Sequence, residues 1–279
     1  MKFICKALMV LVLSLTMAAA ASAASINVLW YGDTNIQSAI STFAASAASY
    51  GGGLSWNVTF WNPGVTYSNY NVLVIGSAGS GFGLGFDTTG ILGASSAIEA
   101  ARGSRTFLSG QDADYHITAG GQMTTINGAA GFLYNAVDWA GSGTGLGIVA
   151  MPDGWNGTGS SWWLTPGSFL YNELNGYVSY VQEESVVIPA ATAGYPVNAG
   201  LTTAGLSDWG VSAHLAFDKN IPGYISINDA GSHPGYAVTI LTESQAGGVT
   251  TGSVPLPGAI LLFAPGLAGL AAIRRRFKK

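Results

Sequence analysis

The chain has 279 residues, 48% of them hydrophobic and only 9% charged, and it carries 40 glycines. Its one cysteine, Cys5, stands near the amino terminus, so the rest of the chain holds no disulfide, thiol nucleophile or cysteine-bound metal. Between residues 24 and 243 only Arg102, Arg105 and Lys219 oppose fourteen acidic residues, a net of −11. That balance lacks the basic footprint by which nucleic acid is held. No fixed-period repeat is visible, which excludes a solenoid or propeller.

In chain order, residues 1–23 open with Lys2 and Lys6, continue through an apolar run at 7–15, and close on Ala21-Ser22-Ala23. This is the pattern of a secretory signal peptide, with a small-residue site for signal peptidase. Residues 26–31 then read as a buried strand ending in Gly32-Asp33-Thr34, where Asp33 or Thr34 can cap the helix that follows. In that helix Ile36, Ile40, Phe43 and Ala47 share one apolar face. Leu54, Trp56, Val58 and Phe60 alternate with Ser55, Asn57, Thr59 and Trp61 as a half-buried strand, and residues 71–75, apolar at every position after Asn71, form another. Strand, helix, strand, linker and strand are the start of a parallel sheet with crossovers.

A glycine-rich loop at 76–90 leads to a short helix at 91–101 and a strand at 106–108, which runs into Ser109-Gly110-Gln111-Asp112-Ala113-Asp114-Tyr115-His116. A helix is predicted over 129–140, with Phe132, Leu133, Ala136, Val137 and Ala140 facing one way, and a strand over 146–151. Beyond Pro152 the pattern loosens, and Trp155, Trp162 and Trp163 sit among small polar residues in what reads as a surface excursion. Residues 185–188 are a strand candidate, and 224–227 with 236–241 read as a closing hairpin. Residues 244–253 form a polar linker.

The last segment, 254–279, has three parts in fixed order: Val254-Pro255-Leu256-Pro257, an uncharged run from Gly258 to Ile273, and Arg274-Arg275-Arg276 with further basic residues. Sixteen helical residues span about 24 Å, close to a bilayer core, and the basic cluster is expected to stay cytoplasmic. This tail resembles the PEP-CTERM sorting signal of Gram-negative bacteria, with Leu256 standing where that signal has Glu. The resemblance implies an exosortase substrate, held in the inner membrane by the tail helix before processing. It further implies delivery to the cell surface or an extracellular polysaccharide or biofilm matrix.

The run of elements from 24 to 243 and the segment Pro196-Val-Asn-Ala-Gly-Leu201 resemble the class I glutamine amidotransferase-like fold, including its trehalose-utilisation-type branch. Tyr195 stands where that segment has His. The resemblance implies a three-layer, mostly parallel α/β sheet of flavodoxin-like kind. The family's nucleophilic cysteine is missing after residue 5, which removes its glutaminase chemistry.

Ligands of such sheets bind at the carboxyl ends of the strands. The polar groups expected there are Asp33, residues 109–116 and Asp153, with His214 and Asp218 as a distant supplement. One reading makes Ser109 a hydrolase nucleophile with His116 or His214 as base, although Ser109 lacks the flanking glycines of a nucleophile elbow. A second makes Asp112, Asp114 and His116 metal ligands, with Ca²⁺ the ion that oxygen donors would suit. A third gives the aspartates only a turn to cap and leaves His116 on the surface, with no cofactor. Residues 79–83 hold no phosphate-binding lysine and read as a surface loop. Trp155, Trp162 and Trp163 are candidates for a glycan platform, because aromatic faces offer broad contact area. The preferred expectation is a non-catalytic exported protein; the alternative is an extracellular hydrolase.

Overall fold

A computed structural model of the chain describes residues 24–50, 53–77, 87–151 and 162–243. The expected signal peptide, linker and sorting segment lie outside these residues, as do residues 79–83, Asp153 and Trp155. Among the described residues no helix is long and apolar enough to cross a membrane.

The described chain is mixed α/β. Five strands are parallel, in the order β2 (Ser55–Phe60), β1 (Ser25–Tyr31), β3 (Val72–Ile75), β5 (Leu146–Ala150) and β4 (Arg102–Ser109). Their apolar runs suit them for burial on both faces. On one face Val28, Trp30, Val72, Val74 and Val149 pack with Ile40 and Phe43 of α1 (Gln37–Ala45); Asp33 caps the short turn Thr34–Ile36 that leads into it, accepting from Asn35 N. On the other, Leu29, Leu73, Ile75 and Ile148 pack with Ile91 of α2 (Thr89–Gly93) and Ile98 of α3 (Ser95–Ala101). After β4 come α4 (Ala113–Thr118) and α5 (Ala129–Gly141). The one-faced pattern expected for α5 is too narrow, since Tyr134, Trp139 and Gly141 are buried along with the apolar stripe.

The central sheet is mostly parallel, as expected, and its second half is antiparallel. After α6 (Tyr171–Leu174) the chain forms β6 (Val178–Glu183), β7 (Val186–Val187), α7 (Thr203–Ser207), β8 (Ala213–Asp218), β9 (Ile225–Ala230) and β10 (Tyr236–Glu243). β9 and β10 are the expected hairpin, and β10 also pairs antiparallel with β4, from Thr239↔Ser109 to Glu243↔Arg105. β8 meets β10 only at Tyr236 and Ala237, then runs on to pair with β6. The expected surface excursion is corrected here. Trp162 and Trp163 are buried, with Trp163 stacked on Phe217 at 5.7 Å. Neither tryptophan face is open to a sugar, so neither can serve in a glycan platform.

Candidate functional site at the carboxyl ends of the parallel strands

Parallel strands end at one edge, and the segments leaving β3 and β4 meet there. Beyond Ser109 the chain turns into the fork between β10 and β8. Gly110 N donates to Val238 O at 2.7 Å, and Gly110 O accepts from His214 N at 2.8 Å. A Cβ on Gly110 would lie 1.7 Å from Leu215 O, so only glycine fits. This placement sets His214 of β8 opposite the start of α4.

Asp112 stands between two imidazoles. Its Oδ1 is 3.3 Å from His116 Nε2, one helical turn on, and its Oδ2 is 3.3 Å from His214 Nε2. Both separations exceed the roughly 2.8 Å of a short charge-assisted hydrogen bond. Burial alone would raise Asp112, but hydrogen bonding and charge from His116 and His214 outweigh it and hold the carboxyl at about 2. His116 is covered by Trp209, whose ring centre lies 5.3 Å away and whose Nε1 donates to Gly205 O at 2.8 Å. The surface histidine expected at 116 is therefore a buried one.

Asp114, two residues on, faces elsewhere. Its Oδ2 accepts from Ser77 N at 2.9 Å and its Oδ1 from Ser77 Oγ at 2.6 Å, which ties α4 to the end of β3. Gly76 makes room for it, since a Cβ there would fall 2.6 Å from Asp114 Oδ2. Burial pushes Asp114 up to about 6, with the Asp112 charge adding to it against the Ser77 bonds. The expected grouping of Asp112, Asp114 and His116 as ligands is thus replaced by Asp112 with His116 and His214. Among the described residues, no group of three His, Cys, Asp or Glu side chains is arranged to hold a metal ion.

Ser109 is fully buried and turned into the sheet. Its Oγ bonds Val238 O at 3.3 Å and Thr239 Oγ1 at 3.1 Å, and accepts from Gln111 N at 3.0 Å. These contacts satisfy the hydroxyl without an imidazole, so the arrangement of a nucleophile beside its base is absent here. Asp218 lies at the far end of β8, accepting from Asn220 N, and takes no part. Asp112 and His214 come together from 102 residues apart only because β10 joins β4 to the second half of the sheet. Ser77 and Trp209 were not legible as site residues. The one signal for Ser77 is its place just past a wholly apolar strand.

At the opposite end of β4, Arg102 makes two bonds to Glu173, at 2.6 and 2.9 Å, and Tyr224 Oη donates to the same carboxylate. A cleft of about 240 Å³ lined by Glu99, Arg102, Thr106, Glu173 and Thr242 opens beside them.

Comparison of the chain with protein-family models, curated proteins and solved structures finds no match.

Proposed function

We propose that this chain is a non-catalytic surface or matrix protein, exported through a signal peptide at residues 1–23 and sorted by an exosortase that reads residues 254–279. The observation that carries the reading is the order of parts at the carboxyl end: Pro255-Leu256-Pro257, sixteen uncharged residues, then Arg274-Arg275-Arg276. Signal peptidase and exosortase are its partners during export. The tail helix holds it in the inner membrane until processing, and extracellular polysaccharide is its partner afterwards. In this reading the body is a three-layer domain of flavodoxin or amidotransferase-like kind that has no cofactor and does not engage nucleic acid. Helices on both faces of the parallel strands support that assignment.

The body gives the non-catalytic reading further support. It has no cysteine, and its best-placed serine is sealed in the sheet. The hydrolase alternative, Ser109 with His116 or His214, gains nothing from this geometry.

Mass spectrometry of the protein recovered from cell-surface and medium fractions tests the proposal. A mature form beginning near residue 24 and lacking Arg274 to Lys279 is expected. Replacing Arg274, Arg275 and Arg276 together with Gln should leave the tail uncleaved and abolish surface delivery. Recovery of the intact basic tail in the surface fraction of wild-type cells would overturn the sorting assignment.

A further inference from the structure

The apolar face shared by β4 and β10 ends in hydroxyls. Leu108 and Ile240 stand opposite each other in the second core layer, and the next pair on that face is Thr106 with Thr242. At the same place β4 loses register with β5: between Arg102↔Leu146 and Thr106↔Ile148, three residues of β4 stand against one of β5. A bulge of this kind re-aims side chains, and here the cleft of about 240 Å³ opens beside it, with only polar side chains along its lining. Glu173 is fully engaged by Arg102 and Tyr224 Oη, but its neighbours are not. Of the five N–H groups of a guanidinium, Arg102 uses four: Nε on Thr106 Oγ1 at 3.0 Å, Nη1 on Glu173 and Glu99 at 2.6 and 3.3 Å, and Nη2 on Glu173 at 2.9 Å. One N–H of Nη2 is left over. Glu99 is bonded through Oε2 alone and its side chain is 52% exposed, so Oε1 is open. Thr106 accepts from Arg102 and keeps its own hydrogen, and the Thr242 hydroxyl forms no bond among the described residues.

We propose that this cleft binds one unit of a neutral saccharide through two adjacent hydroxyl groups. The open groups ask for a ligand that donates and accepts at once: Glu99 Oε1 accepts, the Arg102 Nη2–H and the Thr106 hydroxyl donate, and Thr242 does either. Hydroxyls on neighbouring carbons meet that demand. One donates to Glu99 Oε1 while the oxygen of the next accepts from Arg102 Nη2. Charge argues against other classes. An anion would face two carboxylates against one guanidinium, and a cation would find a single open carboxylate oxygen with a guanidinium beside it. Size agrees, since the cleft is smaller than the roughly 300–1,000 Å³ of sites for larger ligands and has room for a single ring. The Arg102 side chain is only 12% exposed and is pinned by Glu173, so its remaining donor is held in place before the ligand arrives. The cleft thereby gives the polysaccharide partnership proposed above a place on the body, and it rests on that reading only for the source of the sugar.

The test titrates the purified full-length chain with glucose, galactose and mannose, and reads the amide resonances of Glu99, Gly103 and Thr242. At least one hexose should give saturable shifts, with a Kd of about 1–10 mM for so few bonds. Thr242→Val, which keeps the branched shape and deletes the hydroxyl, should weaken that binding about fivefold, and Glu99→Ala about tenfold. Arg102 is left intact, because its bonds to Glu173 hold the cleft together. If one variant does not fold, the other decides. No saturable shift with any of the three hexoses up to about 100 mM, or binding unchanged in the variants, overturns the site. Tighter binding of glucuronate or of Ca²⁺ at the same residues overturns the neutral-ligand assignment. The titration needs neither export nor tail cleavage, so its failure leaves the sorting proposal standing, and a tail that is never processed leaves the hexose result standing.

Discussion

The two ends of β4 accommodate ionic groups, half-buried at its start and buried at its end, by opposite means. At its start, Arg102 meets Glu173 through two parallel bonds and Glu99 through another, and Tyr224 adds a bond to Glu173, so each carboxylate there has the guanidinium as its partner. At its end, two carboxylates share a site with two imidazoles, and one acid, Asp114, has no cation beside it among the described residues. The first arrangement resembles a structural rivet, with planar guanidinium and carboxylate matched in geometry. The second leaves Asp114 with only the two donors of Ser77. Functional chemistry tends to gather where groups are left in such tension, and structural pairs where they are not. The lesson is that polar burial alone does not mark a site; unbalanced polar burial does.

Breaking the Arg102 cluster should be the costlier change. Arg102→Ala removes both bonds to Glu173 and the buried alkyl stem, and a loss of about 3 kcal/mol is expected in denaturant unfolding. His214→Ala leaves Asp112 with one imidazole in a buried setting, for about 2 kcal/mol. Asp112→Asn should cost less than His214→Ala, because it removes the charge that the imidazoles compensate. The reverse order would place the value of the cluster in the carboxylate itself. The acid limb sharpens the same contrast. Asp112 is held at about 2 when folded against 3.8 in the unfolded chain. Its contribution, about 2 kcal/mol, is present above pH 4 and lost as pH falls toward 2. A Tm profile from pH 5 to 2 should therefore be shallower for Asp112→Asn than for the wild type. Smallest of all is Ser109→Ala, which deletes a buried hydroxyl at about 1 kcal/mol. It should leave any turnover by the purified body unaltered.

The parallel half was readable because its signals are local. Val72 to Ile75 is apolar at every position, and Ile36, Ile40, Phe43 and Ala47 repeat at helical spacing, so strand and helix each declare themselves within a few residues. The hairpin of β9 and β10 was legible for the same reason. β6 and β8 were missed. Val178 to Glu183 and Ala213 to Asp218 each mix buried and exposed positions without clean alternation, because both flank an irregular fork in the sheet. Trp162 and Trp163 sit among glycine, serine and threonine, and polar neighbours gave no hint that tertiary packing would enclose them. Of the candidate site, Asp112 and His116 stood out by density. His214 was expected only as a distant supplement, and its partner Asp112 could not be read, because their meeting depends on a strand pairing more than a hundred residues away. Asp114 was misplaced because neighbouring acids in sequence point to different partners in space.

β10 has a consequence for how the chain comes to its native form. It pairs with β4 at a separation of 130 residues between Ser109 and Thr239, and it also joins β8 and β9. The parallel strands can associate early, through nearer neighbours, but β4 keeps an open edge until this last strand arrives. Closing so long a loop is slow, and an uncovered edge strand invites pairing with other chains in the interval. A chain emerging from its amino end must therefore produce residue 243 before the fork at Gly110 closes and before Asp112 meets its second imidazole. The polar cluster is thus a completion mark: its assembly reports that β10 is in place.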